Sequence, residues 1–332
     1  MPAASNSKRP TKSVTTMPKK VIIDTDPGID DAMAILFALA SPEIELLGLT
    51  TIFGNVYTLQ ATQNALRLLE FAGRSDIPVA HGAELPLYGD VDGVADFVHG
   101  VNGLGDIPHN DPAGKPDPRN AAQFIIDTVM ANPGEVTLVP VGPLTNIALA
   151  LAIEPRIVEN VAEVVIMGGA ATVSGNVNPA AEANIYNDPH AADRVFTARW
   201  PQLAMVGLDV TEQVIMNEEY LRSLRASRTG AYIEEISRFY IDFYERANGL
   251  RMCHTHDPSA IAYVIDPTLF RARVGPIRVV GDGLARGQTI WDRRQHWWGP
   301  HAWTDRPAVS VCVEVEAERL LDLYKERILG AG

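Results

Sequence analysis

The folded part of the chain begins with VIIDTDPGIDD at residues 21–31, and this stretch determines the fold that we predict. A short β-branched run at residues 21–23 is typical of a buried strand. The Pro-Gly pair at residues 27 and 28 favours a sharp turn after that strand. Residues 30–40 then predict a helix, and acidic side chains are favourable in its first turn. The stretch therefore predicts a strand, a tight turn and a helix in direct succession.

The alternation of strand and helix patterns continues along the chain. Further strands are predicted at residues 45–52, 77–80, 136–141, 161–167, 202–208, 277–281 and 309–315. Further helices are predicted at residues 58–72, 121–130, 189–197 and 217–248, from residues 144 and 257, and at the end of the chain. Such alternation predicts an α/β fold, a single domain with a mainly parallel, Rossmann-like central sheet and helices on both faces.

The domain organisation follows from composition along the chain. Residues 1–18 are rich in Ser, Thr, Pro and Lys, and we expect them to form a flexible N-terminal extension. Residues 19–332 show no internal repeat and no shift in composition, so we assign them to one domain. Within it, residues 81–118 are rich in Gly, Pro, Asp and His and are expected to form a functional loop region.

The bulk composition excludes several classes of protein. The formal net charge of the 332 residues is -13, with no basic stripe, so a nucleic-acid partner is not expected. No apolar stretch is long enough to span a membrane, and no apolar segment at the N-terminus resembles a secretory signal. The two cysteines, Cys253 and Cys312, form neither a metal-binding spacing nor a disulfide framework. A reducing, cytoplasmic location is therefore the expectation.

Four carboxylates follow the first strand within a few residues, namely Asp24, Asp26, Asp30 and Asp31. Carboxylates packed this closely repel one another unless a cation neutralises them, and oxygen ligands suit Ca²⁺ or Mg²⁺. An EF-hand loop is excluded, because its required Gly and Glu positions are occupied by Ile29 and Ile35. An aspartate-nucleophile phosphohydrolase is an alternative, although Gly28 stands where that class usually has Thr or Val. A solvated loop with a helix N-cap is the simplest alternative.

Other polar residues follow predicted strands, and ligands bind at the carboxyl ends of strands in such sheets. Glu182 and Asn184, with Asn176 shortly before them, suit the vicinal hydroxyls of a sugar, although an ordinary polar loop has the same composition. His256 and Asp257 open a predicted helix. They are either members of the site or a surface histidine and an N-cap.

Four more residues are candidates with open alternatives. Asn55 follows a strand, but Gly-Asn is also a turn signal. His99 lies in the long loop region and has no pattern of its own. Tyr240 and Tyr244 stand four residues apart on a predicted helix, where such pairs usually pack together but could also stack on a flat base.

These motifs together resemble the inosine–uridine-preferring nucleoside N-ribohydrolases from about residue 18 onward. The most specific motif is DTDPGIDDA at residues 24–32. The supporting motifs occur in the family's order and are TTIFGN at 50–55, VGPLTN at 141–146, VIMGG at 165–169, AEAN at 181–184 and HDP at 256–258.

The resemblance implies calcium-dependent hydrolysis of the N-glycosidic bond of ribonucleosides, giving ribose and a free nucleobase. Asp26 would be the general base on the attacking water, and His256 would assist the leaving base. The implied calcium ligands are Asp26, Asp30, Asp31, Asp257 and the backbone carbonyl of Val141. The residues expected to bind substrate are Asn55, His99, Met167, Asn176, Glu182 and Asn184, to which we add Tyr240 and Tyr244. The resemblance also implies a homo-oligomer, a tetramer or a dimer.

The sequence departs from the family pattern at three places. Ala183 stands where the family often has an aromatic residue, His254 is an additional imidazole, and the segment at 291–303 is rich in Trp and His. These departures concern the substrate preference more than the reaction. A binder of nucleosides that has lost turnover is a further alternative to the hydrolase, besides the phosphohydrolase.

Overall fold

A computed structural model describes residues 17–294 and 298–331. The described strands are β1 (Lys19–Thr25), β2 (Ile44–Thr51), β3 (Val79–Ala80), β4 (Val136–Pro140), β5 (Val161–Met167), β6 (Leu203–Val206), β7 (Ile215–Asn217), β8 (Met252–His254), β9 (Phe270–Gly275), β10 (Ile277–Val279), β11 (Thr289–Trp291) and β12 (Val309–Val315). The described α-helices are α1 (Ile29–Leu39), α2 (Thr58–Phe71), α3 (Asp96–His99), α4 (Ala121–Ala131), α5 (Thr145–Ile153), α6 (Ile157–Asn160), α7 (Ala183–Asn187), α8 (Pro189–Phe196), α9 (Leu208–Thr211), α10 (Glu218–Ser223), α11 (Arg228–Asn248), α12 (His256–Ile265) and α13 (Ala317–Gly330).

Eight of the described strands form the central sheet, in the order β3-β2-β1-β4-β5-β6-β12-β9. Every neighbouring pair is parallel except β12 with β9, which run antiparallel at one edge. The predicted single α/β domain with a mainly parallel sheet is therefore confirmed. Because parallel strands share their direction, the turns after β1, β2, β4 and β5 all open at the same edge of the sheet.

Helices cover both faces of the sheet, as the alternating pattern predicts. Successive side chains of a strand point to opposite faces, and β1 shows this directly. Val21 and Ile23 pack in one buried cluster with α1, α11 and α12, whereas Ile22 packs in the other with α4, α5 and α8. The first strand thus lies between two apolar layers, which explains why its sequence is a continuous apolar run rather than an alternating one.

Several predicted boundaries are wrong at the ends of elements. The strand expected at 202–208 ends at Val206, and Leu208 already begins α9. The helix expected at 217–248 is interrupted at Ser227, whose side chain accepts a hydrogen bond from the Gly230 amide and so caps the start of α11. The short strands β7, β8, β9 and β11 were not predicted, because three to six residues carry little periodicity.

The loop region at 81–118 is mostly irregular, as predicted, and contains only the four-residue helix α3. The predicted extension lies outside the described residues except for positions 17 and 18, and β1 begins directly after it. No helix among the residues that the structure describes has the length and apolar character needed to cross a membrane.

Candidate active site

The aspartate-rich loop connects the carboxyl end of β1 to the start of α1. Asp31 organises this loop, because its carboxylate accepts four hydrogen bonds. The donors are the Thr25 hydroxyl at 2.5 Å, the backbone amides of Asp26 and Gly28, and the side-chain amide of Asn55 at 2.8 Å. The buried carboxylate of Asp31 therefore holds the loop in one conformation.

Three carboxylates converge in space from two distant parts of the chain. Oxygens of Asp30, Asp31 and Asp257 all lie within 4.8 Å of one another, and Asp257 belongs to the first turn of α12. Asp26 stands beside this group, since its backbone amide donates to Asp31 at 3.2 Å. The fold thus brings Asp257, more than 200 residues along the chain, to the aspartate loop.

Two buried oxygens of this cluster lack a hydrogen-bond partner within the described parts of the chain. They are Oδ1 of Asp26 and Oδ1 of Asp30, while Oδ2 of Asp26 accepts from the Asn55 amide at 2.6 Å. A buried carboxylate oxygen without a hydrogen-bond donor destabilises the folded protein, and a bound cation would supply the missing positive charge. An all-oxygen set of carboxylates therefore fits a hard divalent metal ion.

Electrostatics support the same conclusion. Burial is the main cause that raises the pKa of Asp26, Asp30, Asp31 and Asp257, and it takes the pKa of Asp30 to about 8. Repulsion from neighbouring carboxylates raises the pKa of Asp26, Asp30 and Asp257 further. The surrounding protein groups thus disfavour the ionised forms of these carboxylates, and a bound cation would favour ionisation again.

Asp24 occupies a different place from the other three aspartates of the loop. Its Oδ1 accepts from the Thr50 hydroxyl at 2.5 Å and from the Asn146 side chain at 2.8 Å, within the interior of the sheet edge. Asn146 also donates to the Thr51 carbonyl, so it links β2, β1 and the start of α5. Asp24 thus supports the loop by linking it to neighbouring elements of the sheet edge.

A cavity of about 530 Å³ opens directly above the carboxylate cluster. All eight residues predicted to bind substrate line it, and so do His256, Val141, Asp30 and Asp257. Residues that the sequence did not single out complete its wall, chiefly Phe97, Val177, Glu212, Phe243 and Asn248. These side chains come from α3, from loops and from α11, where no sequence motif marks them.

His256 lies between two hydroxyl groups. Its Nδ1 is 2.8 Å from the Thr211 hydroxyl, and its Nε2 is 3.2 Å from the Tyr244 hydroxyl. Tyr240 extends this chain, with its hydroxyl 3.4 Å from that of Tyr244. Burial lowers the pKa of His256 to about 3, and the neighbouring imidazoles add to the shift. The ring is therefore neutral at pH 7 and carries its proton on one nitrogen.

His99 faces the cavity from the end of α3. Its Nδ1 accepts a hydrogen bond from the Ile29 amide at 3.1 Å, so the ring carries its proton on Nε2. Burial lowers the pKa of His99 to about 3. Gly28 makes this approach possible, since a Cβ there would lie 2.8 Å from both His99 Nδ1 and the Asn55 side chain. The close approach of His99 and Asn55, rather than the backbone conformation, therefore requires a glycine at this position.

The comparisons with known proteins agree with this geometry. Residues 21–322 match the family model described as inosine-uridine preferring nucleoside hydrolase. The chain belongs to this family.

Two relatives and one solved structure illustrate the nucleoside hydrolase match. A probable uridine nucleosidase 2 of Arabidopsis thaliana is 45% identical over 94% of this chain and 98% of its own. The inosine-uridine preferring nucleoside hydrolase of Leishmania major is 43% identical over 84% of this chain and 89% of its own. The solved plant nucleoside hydrolase PpNRh1 superposes with a TM-score of 0.92 and 46% identity, covering 94% of this chain and 99% of that one. This chain is therefore a nucleoside hydrolase.

In this nucleoside hydrolase the loop after β5 is held by its own polar residues. Glu182 caps α7 by accepting from the amides of Asn184 and Ile185, and it also accepts from the Gly169 amide at 2.8 Å. Asn184 donates its side-chain amide to the carbonyls of Val141 at 2.8 Å and Met167 at 3.1 Å. The predicted sugar-binding residues therefore orient one another and the carbonyl predicted to bind the metal.

The three departures noted in the sequence have different places. Ala183 lines the cavity as the first residue of α7. His254 also lines it, with its ring centre 5.1 Å from that of Tyr244 and 5.6 Å from that of His256. The Trp-rich segment lies apart from these cavity residues where it is described, and residues 295–297 are outside the described part of the chain.

Proposed function

We propose that this nucleoside hydrolase splits the N-glycosidic bond of ribonucleosides with a calcium ion in the carboxylate cluster. The observation that carries the proposal is the cavity itself. It brings the buried carboxylates of Asp30 and Asp257, amide side chains suited to ribose, and two neutral histidines to one space of nucleoside size.

The residues that would hold the ion are Asp26, Asp30, Asp31, Asp257 and the carbonyl of Val141. Their oxygens are buried, and Oδ1 of both Asp26 and Asp30 is free to bind a cation. When bound, calcium supplies positive charge that lowers the pKa of water and attracts the ribose hydroxyls. Magnesium uses the same ligand types, so the identity of the ion is part of the proposal.

Asp26 is proposed as the general base. Its Oδ2 is held by the Asn55 amide at 2.6 Å, which fixes the carboxylate beside the proposed ion and its water. Burial raises its pKa well above the ordinary range of an aspartate, which makes the carboxylate a stronger base than an exposed one. The remaining carboxylates stabilise the oxocarbenium-like charge that develops on the ribose as the bond breaks.

Ribose recognition is assigned to the amide and carboxylate side chains at the inner wall. Asn55, Asn176, Glu182 and Asn184 line the cavity together with Met167. Hydrogen bonds within the protein already hold these polar side chains, and a ribose with all its hydroxyls would satisfy the donors and acceptors that remain. A deoxyribose would leave one buried group unpaired, so ribonucleosides are the expected substrates.

The nucleobase is proposed to lie near His99, His256, Tyr240 and Tyr244. His256 would assist departure of the base by donating a hydrogen bond to it, since a neutral imidazole can stabilise negative charge on a leaving group. The tyrosine pair offers an aromatic wall with hydroxyls at its edge.

A reducing-sugar assay across the common nucleosides, with calcium added or chelated, tests the function. We expect ribose release, with uridine and inosine among the substrates, and its loss in chelator or when Asp26 or His256 is replaced. Phosphate release from a phosphate ester would instead favour the phosphohydrolase. Binding of nucleosides in calorimetry without product would show a binder that has lost turnover.

Two further proposals concern the state of the protein in the cell. Cys253 and Cys312 are buried free thiols, which supports a reducing compartment such as the cytoplasm. A homotetramer or dimer is proposed from the family resemblance alone, and sedimentation of the purified protein would measure it.

A further inference from the structure

The hydroxyl of Thr211 is the partner of His256 on the side away from Tyr244. Thr211 ends α9 and is fully buried, and its Oγ1 lies 2.8 Å from Nδ1 of His256. The backbone fixes this distance, because the Thr255 amide donates to the Val214 carbonyl at 2.9 Å just beyond α9. The contact therefore belongs to the rigid frame of the site.

The direction of this hydrogen bond follows from the other groups around the hydroxyl. A buried hydroxyl must donate its proton to an acceptor, and helical threonines often use the carbonyl four residues earlier. Thr62 does so in α2, with its Oγ1 2.9 Å from the Thr58 carbonyl. The Thr211 hydroxyl has no backbone carbonyl as a second partner within residues 17–294 and 298–331. It therefore donates its proton to Nδ1 of His256.

We propose that Thr211 is a positioning residue that holds His256 in the tautomer with its proton on Nε2. That nitrogen lies 3.2 Å from the Tyr244 hydroxyl, and both side chains line the cavity. In this tautomer the histidine presents a donor to the nucleobase. In the other tautomer it would present a lone pair, which repels the negative charge that develops on a departing base.

This inference rests on the proposed role of His256 at the leaving base, but its first test does not need activity. Nitrogen-15 and carbon-13 shifts of the His256 ring report directly which nitrogen carries the proton. We expect the proton on Nε2 in the wild-type protein and a mixture of tautomers in Thr211→Val, which keeps the shape and removes the hydroxyl. Thr211→Ser retains the hydroxyl and should restore the wild-type shifts. A wild-type ring protonated on Nδ1 would overturn the proposal.

The second test separates leaving-group assistance from general damage. p-Nitrophenyl β-ribofuranoside releases a stable anion that needs no assistance, whereas uridine does. Thr211→Val should lower kcat on uridine by about tenfold, the effect of losing one hydrogen bond that selects the productive tautomer. It should leave kcat on the nitrophenyl substrate nearly unchanged, and Thr211→Ser should recover activity on uridine.

Each outcome bears on one proposal. Equal losses on both substrates would mean that Thr211 only supports the fold, and would contradict the tautomer role. A wild-type protein that releases ribose from no nucleoside would contradict the proposed function, while the ring shifts would still report on Thr211.

Discussion

At the scale of single residues, the carboxylate of Asp26 fits its place because Gly142 has no side chain. A Cβ on Gly142 would lie 2.4 Å from Oδ1 of Asp26 and 2.9 Å from Ile52. We expect Gly142→Ala to displace the carboxylate and to weaken both calcium binding and kcat by about 10- to 100-fold, as when a metal ligand loses its orientation. Calorimetry with calcium and the calcium dependence of kcat would measure both.

The matched control is Gly330→Ala. Gly330 ends α13, and a Cβ there meets no atom within 4 Å. This variant should bind calcium and turn over like the wild type. Wild-type calcium affinity in Gly142→Ala would contradict the role given to the close approach.

Asp24 and Asp26 are two residues apart, yet the structure gives them different surroundings. Asp24 accepts hydrogen bonds from Thr50 and Asn146, whereas Oδ1 of Asp26, beside the carboxylate cluster, has no hydrogen-bond partner among the described residues. Asp24→Asn keeps an acceptor for both donors and should keep kcat within about tenfold of wild type. Asp26→Asn should lose at least about 100-fold, the usual contribution of a general base. Ribose release by the two variants is the measurement.

The comparison also decides between reaction types. In a phosphohydrolase the first aspartate of the motif would be the nucleophile, and Asp24→Asn would abolish turnover. If Asp24→Asn is the more damaged variant, the proposed role of Asp26 is wrong.

Single residues also show how much of the candidate site can be predicted from the sequence. The aspartate loop, His256 and Asp257 have motifs whose chemistry is evident from residue type and spacing, and they do meet at one cavity. Thr211 and Glu212 have no such signal, because their importance arises only when α9 packs near the start of α12. A contact between residues 45 positions apart cannot be derived from local pattern.

At the scale of elements, α9 also holds the loop that follows β5. Asp209 accepts from the Ala171 amide at 2.8 Å and from the amide and hydroxyl of Thr172 at 2.7 and 2.5 Å. This loop continues to Asn176, which lines the cavity. Asp209→Asn would turn one acceptor oxygen into a donor that faces a backbone amide, at a cost of about 1–3 kcal/mol.

We therefore expect Asp209→Asn to raise KM for uridine several-fold while kcat changes less, since the catalytic carboxylates lie on other elements. Thr172→Val is the control, because it removes only the hydroxyl donor and leaves no buried group unpaired. It should have a smaller effect on KM. A fall in melting temperature with unchanged KM in Asp209→Asn would show that the loop does not depend on this anchor.

Elements also differ in how well the sequence predicts them. The buried central strands are rich in apolar residues and are followed by polar turns, so the sequence predicts β1, β2, β4 and β5. The edge strand β9 has the sequence FRARVG with mostly exposed residues, and it pairs antiparallel with β12. Its partner rather than its own pattern determines that it is a strand, which explains why it was missed.

At the scale of the whole molecule, the site concentrates negative charge inside a protein whose net charge is already -13. Such a charge favours the approach of cations. Because the carboxylates of the cluster are buried close together, the free energy of unfolding also depends on whether the cluster holds an ion. Ligands that bind only the folded state stabilise it, so calcium should raise the melting temperature.

The pH dependence of that stabilisation has a definite sign. Burial raises the pKa of Asp30 to about 8 in the folded protein, and the pKa values of Asp26, Asp31 and Asp257 are raised as well. In the unfolded chain these groups ionise near pH 4, so without metal the unfolded state loses protons first as pH rises. The metal-free protein should therefore lose stability from about pH 4 towards pH 8, by up to about 1.4 kcal/mol per pH unit for each group.

Melting curves between pH 5 and pH 8, in chelator and in excess calcium, test this. We expect the gap between the two melting temperatures to widen as pH rises, because calcium binds the ionised carboxylates that destabilise the metal-free protein. Asp30→Asn removes one of these groups and should flatten the curve in chelator. Parallel curves at all pH values would mean that the buried carboxylates do not bind the ion, even if the enzyme cleaves nucleosides. Such a result would place the metal elsewhere and leave the cluster as a structural network.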